Sequence, residues 1–192
     1  MTRRFLFLLG STRPDGNTEL LARRAAEQLP PEVEQRWISL TDHPLPDFED
    51  VRHEDEAFRS EHANATLLRE ATLAATDLVI ASPLYWYSVS AQTKRYLDHW
   101  SAWLRTPGVD FRATMAGRTL WGVTALATEE VVADPLVGTL NNSAAYMGMR
   151  FGGVLLGNGS KPGDVLNDTE ALTRAKTFFA REAPLARFPV RG

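Results

Sequence analysis

The stretch that decides the fold is residues 10–18, Gly10-Ser11-Thr12-Arg13-Pro14-Asp15-Gly16-Asn17-Thr18. A short apolar run precedes it and predicts a buried strand, Phe5-Leu6-Phe7-Leu8-Leu9. Apolar residues at helical spacing follow it, at Leu21, Ala25 and Leu29. Where a strand passes into a helix through such a loop, the first N–H groups of the helix are free and carry partial positive charge. The stretch therefore predicts a binding site for a phosphate group.

Four more apolar runs of strand length follow, and segments with helical spacing lie between them. This alternation predicts a parallel sheet with helices on both faces, in one three-layer α/β domain that spans residues 1–192. The predicted strands are Arg4–Leu9, Val33–Ser39, Asp77–Ser82, Thr119–Leu126 and Phe151–Leu156. The predicted helices are Thr18–Gln28, Glu61–Ala75, Ser90–Leu104, Pro135–Met147 and Asp168–Arg187.

The composition excludes several classes of protein. The 192 residues contain no cysteine, which removes disulfides, thiol redox catalysis and cysteine-ligated metal sites. A formal net charge of -3, without a basic stripe, argues against nucleic acid as a partner. The apolar run after Arg4 is too short for a secretion signal, and no apolar stretch approaches membrane-spanning length. We therefore expect a cytoplasmic protein with no membrane insertion.

Residue spacing in the first loop separates the known kinds of phosphate loop. Five residues lie between Gly10 and Gly16, and Asn17 follows in place of lysine, so the Walker A spacing is absent. The dinucleotide pattern G-x-G-x-x-G is absent after the first strand. A receiver domain needs acidic residues where this chain has Leu9-Gly10-Ser11. What remains is a loop of hydroxyls, an arginine and an asparagine around one terminal phosphate, the group that flavin mononucleotide (FMN) presents.

Two stretches that directly follow predicted strands carry a resemblance to a known family. The first is Leu9-Gly10-Ser11-Thr12-Arg13 with Gly16-Asn17-Thr18, and the second is Ser82-Pro83-Leu84-Tyr85-Trp86-Tyr87-Ser88-Val89-Ser90-Ala91-Gln92-Thr93-Lys94 with Asp98. They resemble the flavodoxin-like NAD(P)H-dependent FMN reductases and NAD(P)H:quinone oxidoreductases. Two later stretches, 152–157 and 162–165, are similar to the C-terminal third of that family. The resemblance implies a flavodoxin-like sandwich with strand order 2-1-3-4-5, which brings the two loops to one crevice.

The resemblance implies that FMN is the cofactor and that NADPH or NADH is the co-substrate. The expected phosphate ligands are backbone N–H groups and four side chains, those of Ser11, Arg13, Asn17 and Thr18. Two simpler interpretations stay open: Asn17 or Thr18 caps the helix, and Arg13 is a solvated surface residue.

The flavin ring is expected along the second loop, where backbone groups can donate to it. The expected ring contacts are Pro83, Leu84, Tyr85 and Trp86, with Thr128 from a third loop. The alternative is that some of these aromatics are ordinary core or interface residues. The third loop departs from the family pattern because Glu129 and Glu130 follow Thr128, and we expect both carboxylates to face solvent or cap the next turn.

The implied reaction passes hydride from the nicotinamide to flavin and then to a quinone, a nitro or azo compound, or free flavin. No side chain is assigned as catalytic, because the cofactor carries the chemistry. The alternative is a non-enzymatic flavodoxin-like regulatory or ancillary subunit that senses redox state, which the Glu129-Glu130 departure favours. A simple electron carrier is a third, weaker alternative, because the chain is only modestly acidic.

Three further features remain, and two of them have two interpretations each. The acidic segment Thr41–His62 is either a solvated connection, or a lid or arm that reaches a partner subunit. A metal site of His53, Asp55 and His62 is disfavoured, because no pair of them has the helical i, i+4 spacing. A stripe of aromatic residues on the third predicted helix consists of Tyr96, Trp100 and Trp103. The stripe either packs in the core or forms the subunit contact of a homodimer or homotetramer. Lys94 and Asp98 are expected to form a surface ion pair.

Overall fold

Five parallel strands form a single sheet in the computed structural model, which describes residues 2–50 and 62–189. The strands are β1 (Arg4–Leu9), β2 (Glu34–Ser39), β3 (Asp77–Ala81), β4 (Thr119–Leu126) and β5 (Arg150–Asn158). Their order across the sheet is β2-β1-β3-β4-β5, and every neighbouring pair is parallel. The predicted flavodoxin-like sheet is therefore confirmed.

The described helices cover both faces of the sheet. They are α1 (Asn17–Ala26), α2 (Ala63–Ala74), α3 (Ala91–Trp103), α4 (Phe111–Met115), α5 (Asp134–Tyr146) and α6 (Thr169–Ala175). Alternate residues of β1 point to opposite faces: Phe5 and Phe7 pack with α1 and α6, and Leu6 and Leu8 pack with the other four helices. Within residues 2–50 and 62–189, no helix has the length and apolar character that a membrane span requires.

The aromatic stripe of α3 lies in the core and forms no surface for a subunit contact. Tyr96, Trp100 and Trp103 are all at least nine-tenths buried, and both tryptophans pack edge-on against Phe111 at 5.7 and 5.5 Å between ring centroids. The Tyr96 hydroxyl lies 2.6 Å from Thr72 Oγ1. Burial raises the pKa of the Tyr96 hydroxyl far above its ordinary value, so this group stays neutral.

The predicted helix Asp168–Arg187 is wrong over most of its length. Helix α6 ends at Ala175, and a single 3-10 turn, Phe178–Ala180, follows. The chain then runs beside the start of β5, where Phe151 donates its N–H to Pro184 O at 2.9 Å. This pairing covers the outer edge of β5, and a helix in the same place cannot supply it. The short helix α4 was not predicted, because five residues show too little periodicity.

Asp77 is a buried carboxylate that we predict to stabilise the fold. Its oxygens accept from Arg3, from Trp121 Nε1 at 2.9 Å and from Thr76 Oγ1 at 2.8 Å. Asp77→Ala leaves the buried indole N–H without a partner, so we expect the free energy of unfolding to fall by about 2 kcal/mol in denaturant titrations.

The matched control for Asp77→Ala is the exposed pair of Lys94 and Asp98, which forms as predicted with 2.5 Å between Nζ and Oδ1. Asp98→Ala removes an i, i+4 surface pair and is expected to cost at most about 0.5 kcal/mol. Equal losses in the two variants would contradict the role given to Asp77.

Candidate functional site

The loops that follow β1 and β3 touch at the carboxyl edge of the sheet. We call residues 10–16 the β1 loop and residues 82–90 the β3 loop. Gly10 donates its N–H to Ala81 O at 2.8 Å and lies against the start of α3. A Cβ on Gly10 would overlap Thr93 Oγ1 and fall 2.9 Å from Ser90 Oγ. Only glycine permits this approach. Because Gly10 has no side chain, the two loops can meet at the point where the winding of the sheet reverses.

The first turn of α1 is open to a ligand. Its N-cap is Gly16, and none of the described side chains caps its N–H groups. The Ser11 hydroxyl lies beside this N-cap, because Ser11 Oγ is 3.5 Å from the position of a Cβ on Gly16. Free N–H groups and a hydroxyl at a helix N-terminus match the needs of a phosphate.

Thr18 and Arg13 occupy different environments in the same site. The Thr18 side chain is buried, and its Oγ1 accepts the N–H of Ala125 at 3.2 Å, which leaves the hydroxyl proton free to donate elsewhere. Arg13 is exposed, and its backbone N–H donates to Ser11 Oγ at 3.1 Å. The Arg13 guanidinium has no ion-pair partner among the described residues, which leaves its charge available to an anion.

The side chain of Asn17 is committed to the loop after β5, residues 159–163, which we call the β5 loop. Asn17 Nδ2 donates to Gly159 O at 3.0 Å and to Lys161 O at 2.9 Å, while Oδ1 accepts the N–H of Gly163 at 2.9 Å. Both amide protons are used, so only the backbone N–H of Asn17 remains for a phosphate. Asn17 also does not cap α1, since Gly16 holds that position.

Two acidic residues near α1, Glu19 and Asp168, are held by bonds within the protein. Glu19 accepts from Arg23 Nη2 at 2.6 Å and from the backbone N–H of Asp15 at 3.1 Å. Farther along the same edge, burial raises the pKa of Asp168, but backbone N–H bonds from Ala171 and Asn158 and the charge of Arg174 outweigh it, so the pKa is lowered overall.

The tip of the β3 loop is a tight turn with a strained backbone. Tyr85 and Ser88 exchange two backbone hydrogen bonds of 3.0 and 3.1 Å. The two residues between them have positive φ, 48° at Trp86 and 65° at Tyr87, which is the pattern of a type I′ turn. Glycine or asparagine normally fills these positions, and each bulky residue there costs on the order of 1–3 kcal/mol. Sequence reasoning missed this turn, because a Trp-Tyr pair carries no turn signal.

The aromatic side chains of this turn are exposed. The exposed fraction is 92% for Trp86, and Tyr85 and Tyr87 are each more than half exposed. The Ser82 hydroxyl supports the base of the loop by accepting the N–H of Ser90 at 2.8 Å. Strained backbone and exposed apolar surface both lower stability, and they concentrate at functional sites.

Trp86→Gly is expected to raise the free energy of unfolding by about 1 kcal/mol, because glycine adopts positive φ without strain. Trp86→Ala is the control: it removes the same ring but keeps a Cβ in the left-handed region. Chemical denaturation of both variants measures the difference, and an equal gain from alanine would show that the backbone is not the source of the strain.

The loop after β4, residues 127–129, lies at the same edge of the sheet, because β4 is parallel to β3. Thr128 is exposed, and its carbonyl accepts from Asn158 Nδ2 at 3.3 Å. Glu130 pairs with Arg174 at 2.6 Å, and Glu129 is exposed. Both carboxylates are exposed, as expected, but the ion pair of Glu130 with Arg174 was not predicted from the sequence; this pairing partly offsets the charge of Glu130.

The described part of the acidic segment packs on α2 and α3. Asn64 Nδ2 donates to Pro44 O at 2.9 Å, and His99 Nε2 lies 3.0 Å from Pro46 O. Arg95 pairs with Asp47 at 2.8 Å. His53 and Asp55 of the disfavoured metal site lie outside the described residues.

Known proteins resemble the chain over most of its length. The family model described as NADPH-dependent FMN reductase matches residues 3–151. An NAD(P)H-dependent FMN-containing oxidoreductase of Bacillus subtilis, YwqN, is 32% identical over 90% of this chain and 94% of its own. The structure of the Trp repressor binding protein from Bacillus subtilis has a TM-score of 0.73 and 27% identity, and the match covers 93% of this chain and 99% of that one.

A further relative differs in its metal content. An iron-sulfur flavoprotein of Methanocaldococcus jannaschii, MJ1083, is 28% identical over 93% of this chain and 94% of its own. The 192 residues here contain no cysteine and cannot hold a cysteine-ligated cluster, so the flavin is the part of that comparison that fits. The chain belongs to the NADPH-dependent FMN reductase family, and it is an oxidoreductase that uses FMN and NAD(P)H.

Proposed function

We propose that this enzyme holds FMN between the β1 and β3 loops and passes electrons from NADPH or NADH to a small aromatic acceptor. The acceptor classes are quinones, azo and nitro compounds, and free flavin. One observation carries the proposal: the β1 loop, which leads to the open N-terminus of α1, and the β3 loop, which carries the exposed aromatic turn, meet where Gly10 lies against Ser90 and the start of α3. A phosphate and a flat ring are the two groups that such a pair of surfaces suits.

The residues at the phosphate end fit a monoester dianion. Thr18 has a hydroxyl proton to donate, Arg13 supplies a free guanidinium, and the backbone N–H groups of Asn17 and Thr18 lie in the open turn. The Ser11 hydroxyl donates to Arg13 O at 3.2 Å and would exchange that bond for one to the phosphate. Charge-assisted bonds of this kind are stronger than bonds between neutral groups. Glu19, the acid in the same turn, is paired with Arg23, so its negative charge is partly offset and opposes an anionic ligand less.

The residues at the ring end are those of the β3 loop with Thr128. Pro83 and Leu84 lead into the turn, and Tyr85 and Trp86 present the exposed rings. FMN, when bound, supplies the two-electron chemistry of the family. The role of the chain is to orient the ring, to leave one face open and to offer aromatic surface to a flat acceptor.

A homodimer or homotetramer in the cytoplasm, with residues 1–192 as one domain, is part of the same proposal. The buried stripe of α3 gives it no support, but Trp86, Tyr87 and Tyr146 are exposed aromatics of the kind found at subunit contacts. Light scattering during size-exclusion chromatography measures the mass, and a monomer at all concentrations would contradict this part.

The test is reduction of the FMN-loaded protein without oxygen. NADPH or NADH is expected to bleach the visible flavin band, and a quinone, azo dye, nitroaromatic or free flavin is then expected to restore it. The acceptor that restores the band fastest identifies the substrate class. Bound FMN that neither nucleotide reduces would contradict the proposal. The regulatory alternative loses support because the chain belongs to a family of FMN-dependent oxidoreductases.

A further inference from the structure

The β5 loop is fixed against the start of α1 by a contact between distant parts of the chain. Asn17 binds three backbone groups of this loop, as described above, and Gly159 permits the approach. A Cβ on Gly159 would fall 2.9 Å from Asn17 Nδ2 and 2.7 Å from the backbone N of Val165. The β5 loop therefore forms a wall of the site at the open helix N-terminus.

Lys161 is held in this wall through its backbone. Its carbonyl accepts from Asn17 Nδ2 at 2.9 Å, and its N–H donates to Asp164 Oδ2 at 2.7 Å. Bonds on both sides fix its Cα next to the first turn of α1. Asn17 is the first residue of that turn, and a lysine side chain reaches roughly 6 Å from its Cα, so the ammonium can reach an anion bound there.

The charge around the site calls for another cation. The Lys161 side chain is exposed and forms no ion pair in the described part of the chain. Asp15 lies in the β1 loop and Asp164 beside the β5 loop, so two carboxylates stand near the proposed phosphate. The single positive charge of Arg13 does not balance these two carboxylates and a phosphate dianion.

We propose that Lys161 is a second cation for the FMN phosphate beside Arg13, and that the contact with Asn17 positions it. This inference rests on the proposed function, because it names a further residue of the same site. It differs from the sequence prediction, in which every side-chain phosphate ligand came from residues 11–18. The proposal also gives a role to the three hydrogen bonds between the Asn17 side-chain amide and the β5 loop: they place Lys161 beside the phosphate.

The test compares FMN with riboflavin, which carries the same ring without the phosphate. Lys161→Gln is expected to weaken FMN binding about fivefold or more in a fluorescence titration at low salt, and to leave riboflavin binding unchanged. Lys161→Arg is expected to restore FMN binding. Lys176→Gln is the control, because Lys176 is exposed at the end of α6 and far along the chain from the β5 loop.

Each other outcome has a distinct meaning. Wild-type protein that binds no FMN would overturn the proposed function, and this inference with it. Equal FMN binding by wild type and Lys161→Gln would overturn the inference alone. Equal losses for FMN and riboflavin would also overturn it, because they would show that Lys161 shapes the β5 loop and does not bind the phosphate.

Discussion

Ser11→Asp is expected to lower the affinity for FMN by about 100-fold, which corresponds to about 2.7 kcal/mol. The Ser11 hydroxyl lies beside the N-cap of α1, so a carboxylate there stands where the phosphate is proposed to bind. The change removes one hydrogen bond and adds repulsion between like charges, which in a partly exposed site together reach this size. The loss is expected to shrink at high salt.

The same variant is expected to fold as well as the wild type. A carboxylate at a helix N-terminus interacts favourably with the helix dipole, by about 0.5 kcal/mol, and partly takes the place of the missing phosphate. Ser101→Asp is the control, since it adds the same charge near the far end of α3. If Ser11→Asp binds FMN as tightly as Ser101→Asp, the phosphate lies elsewhere.

Gly10→Ala is expected to lower the free energy of unfolding by about 3 kcal/mol and to reduce FMN binding at the same time. The added methyl group would overlap Thr93 Oγ1 and crowd Ser90 Oγ, the N-cap of α3. Overpacking of this kind costs typically 1–3 kcal/mol, and here the clash separates the β1 loop from the β3 loop. Thermal unfolding and FMN titration measure the two effects.

Gly138→Ala is the matched control, because Gly138 lies within α5 and a Cβ there meets nothing within 4 Å. Alanine is the better helix residue by about 1 kcal/mol, so this variant is expected to be slightly more stable than the wild type, with unchanged FMN binding. If Gly10→Ala is as stable as Gly138→Ala, the β1 loop does not pack tightly against α3.

The sheet could be predicted because its signals are local. Apolar runs bounded by glycine or polar loops mark each strand, and the predicted bounds of Arg4–Leu9 and Thr119–Leu126 are those of the structure. The two loops that the family resemblance paired do follow neighbouring strands, so the position of the candidate site also followed from the sequence.

The features that sequence reasoning missed depend on contacts between distant residues. Asn17 is a good cap by its residue type, and only the bonds to Gly159 and Lys161 show its actual role. The sequence did not show what Glu130 contacts, because its partner, Arg174, is distant along the chain. The final helix was overestimated because pairing with β5, which replaces it, leaves no periodic pattern in residues 181–189.

The turn at Trp86 and Tyr87 was hidden for a different reason. Positive φ at two bulky residues contradicts local preference, and the surrounding contacts of Ser82, Ser88 and Ser90 hold it in place. Local rules fail most often where function requires an unfavourable conformation, so this failure agrees with the proposed role of the turn.

The most direct test is to map amide NMR shifts while FMN, riboflavin or inorganic phosphate is added to the protein. FMN is expected to shift the amides of both residues 11–18 and residues 84–88, riboflavin mainly the second group, and phosphate only the first. Lys161 is expected to respond to FMN and phosphate alone. If FMN shifts neither group, or if all three ligands shift the same residues, the two loops do not form one site with a phosphate end and a ring end.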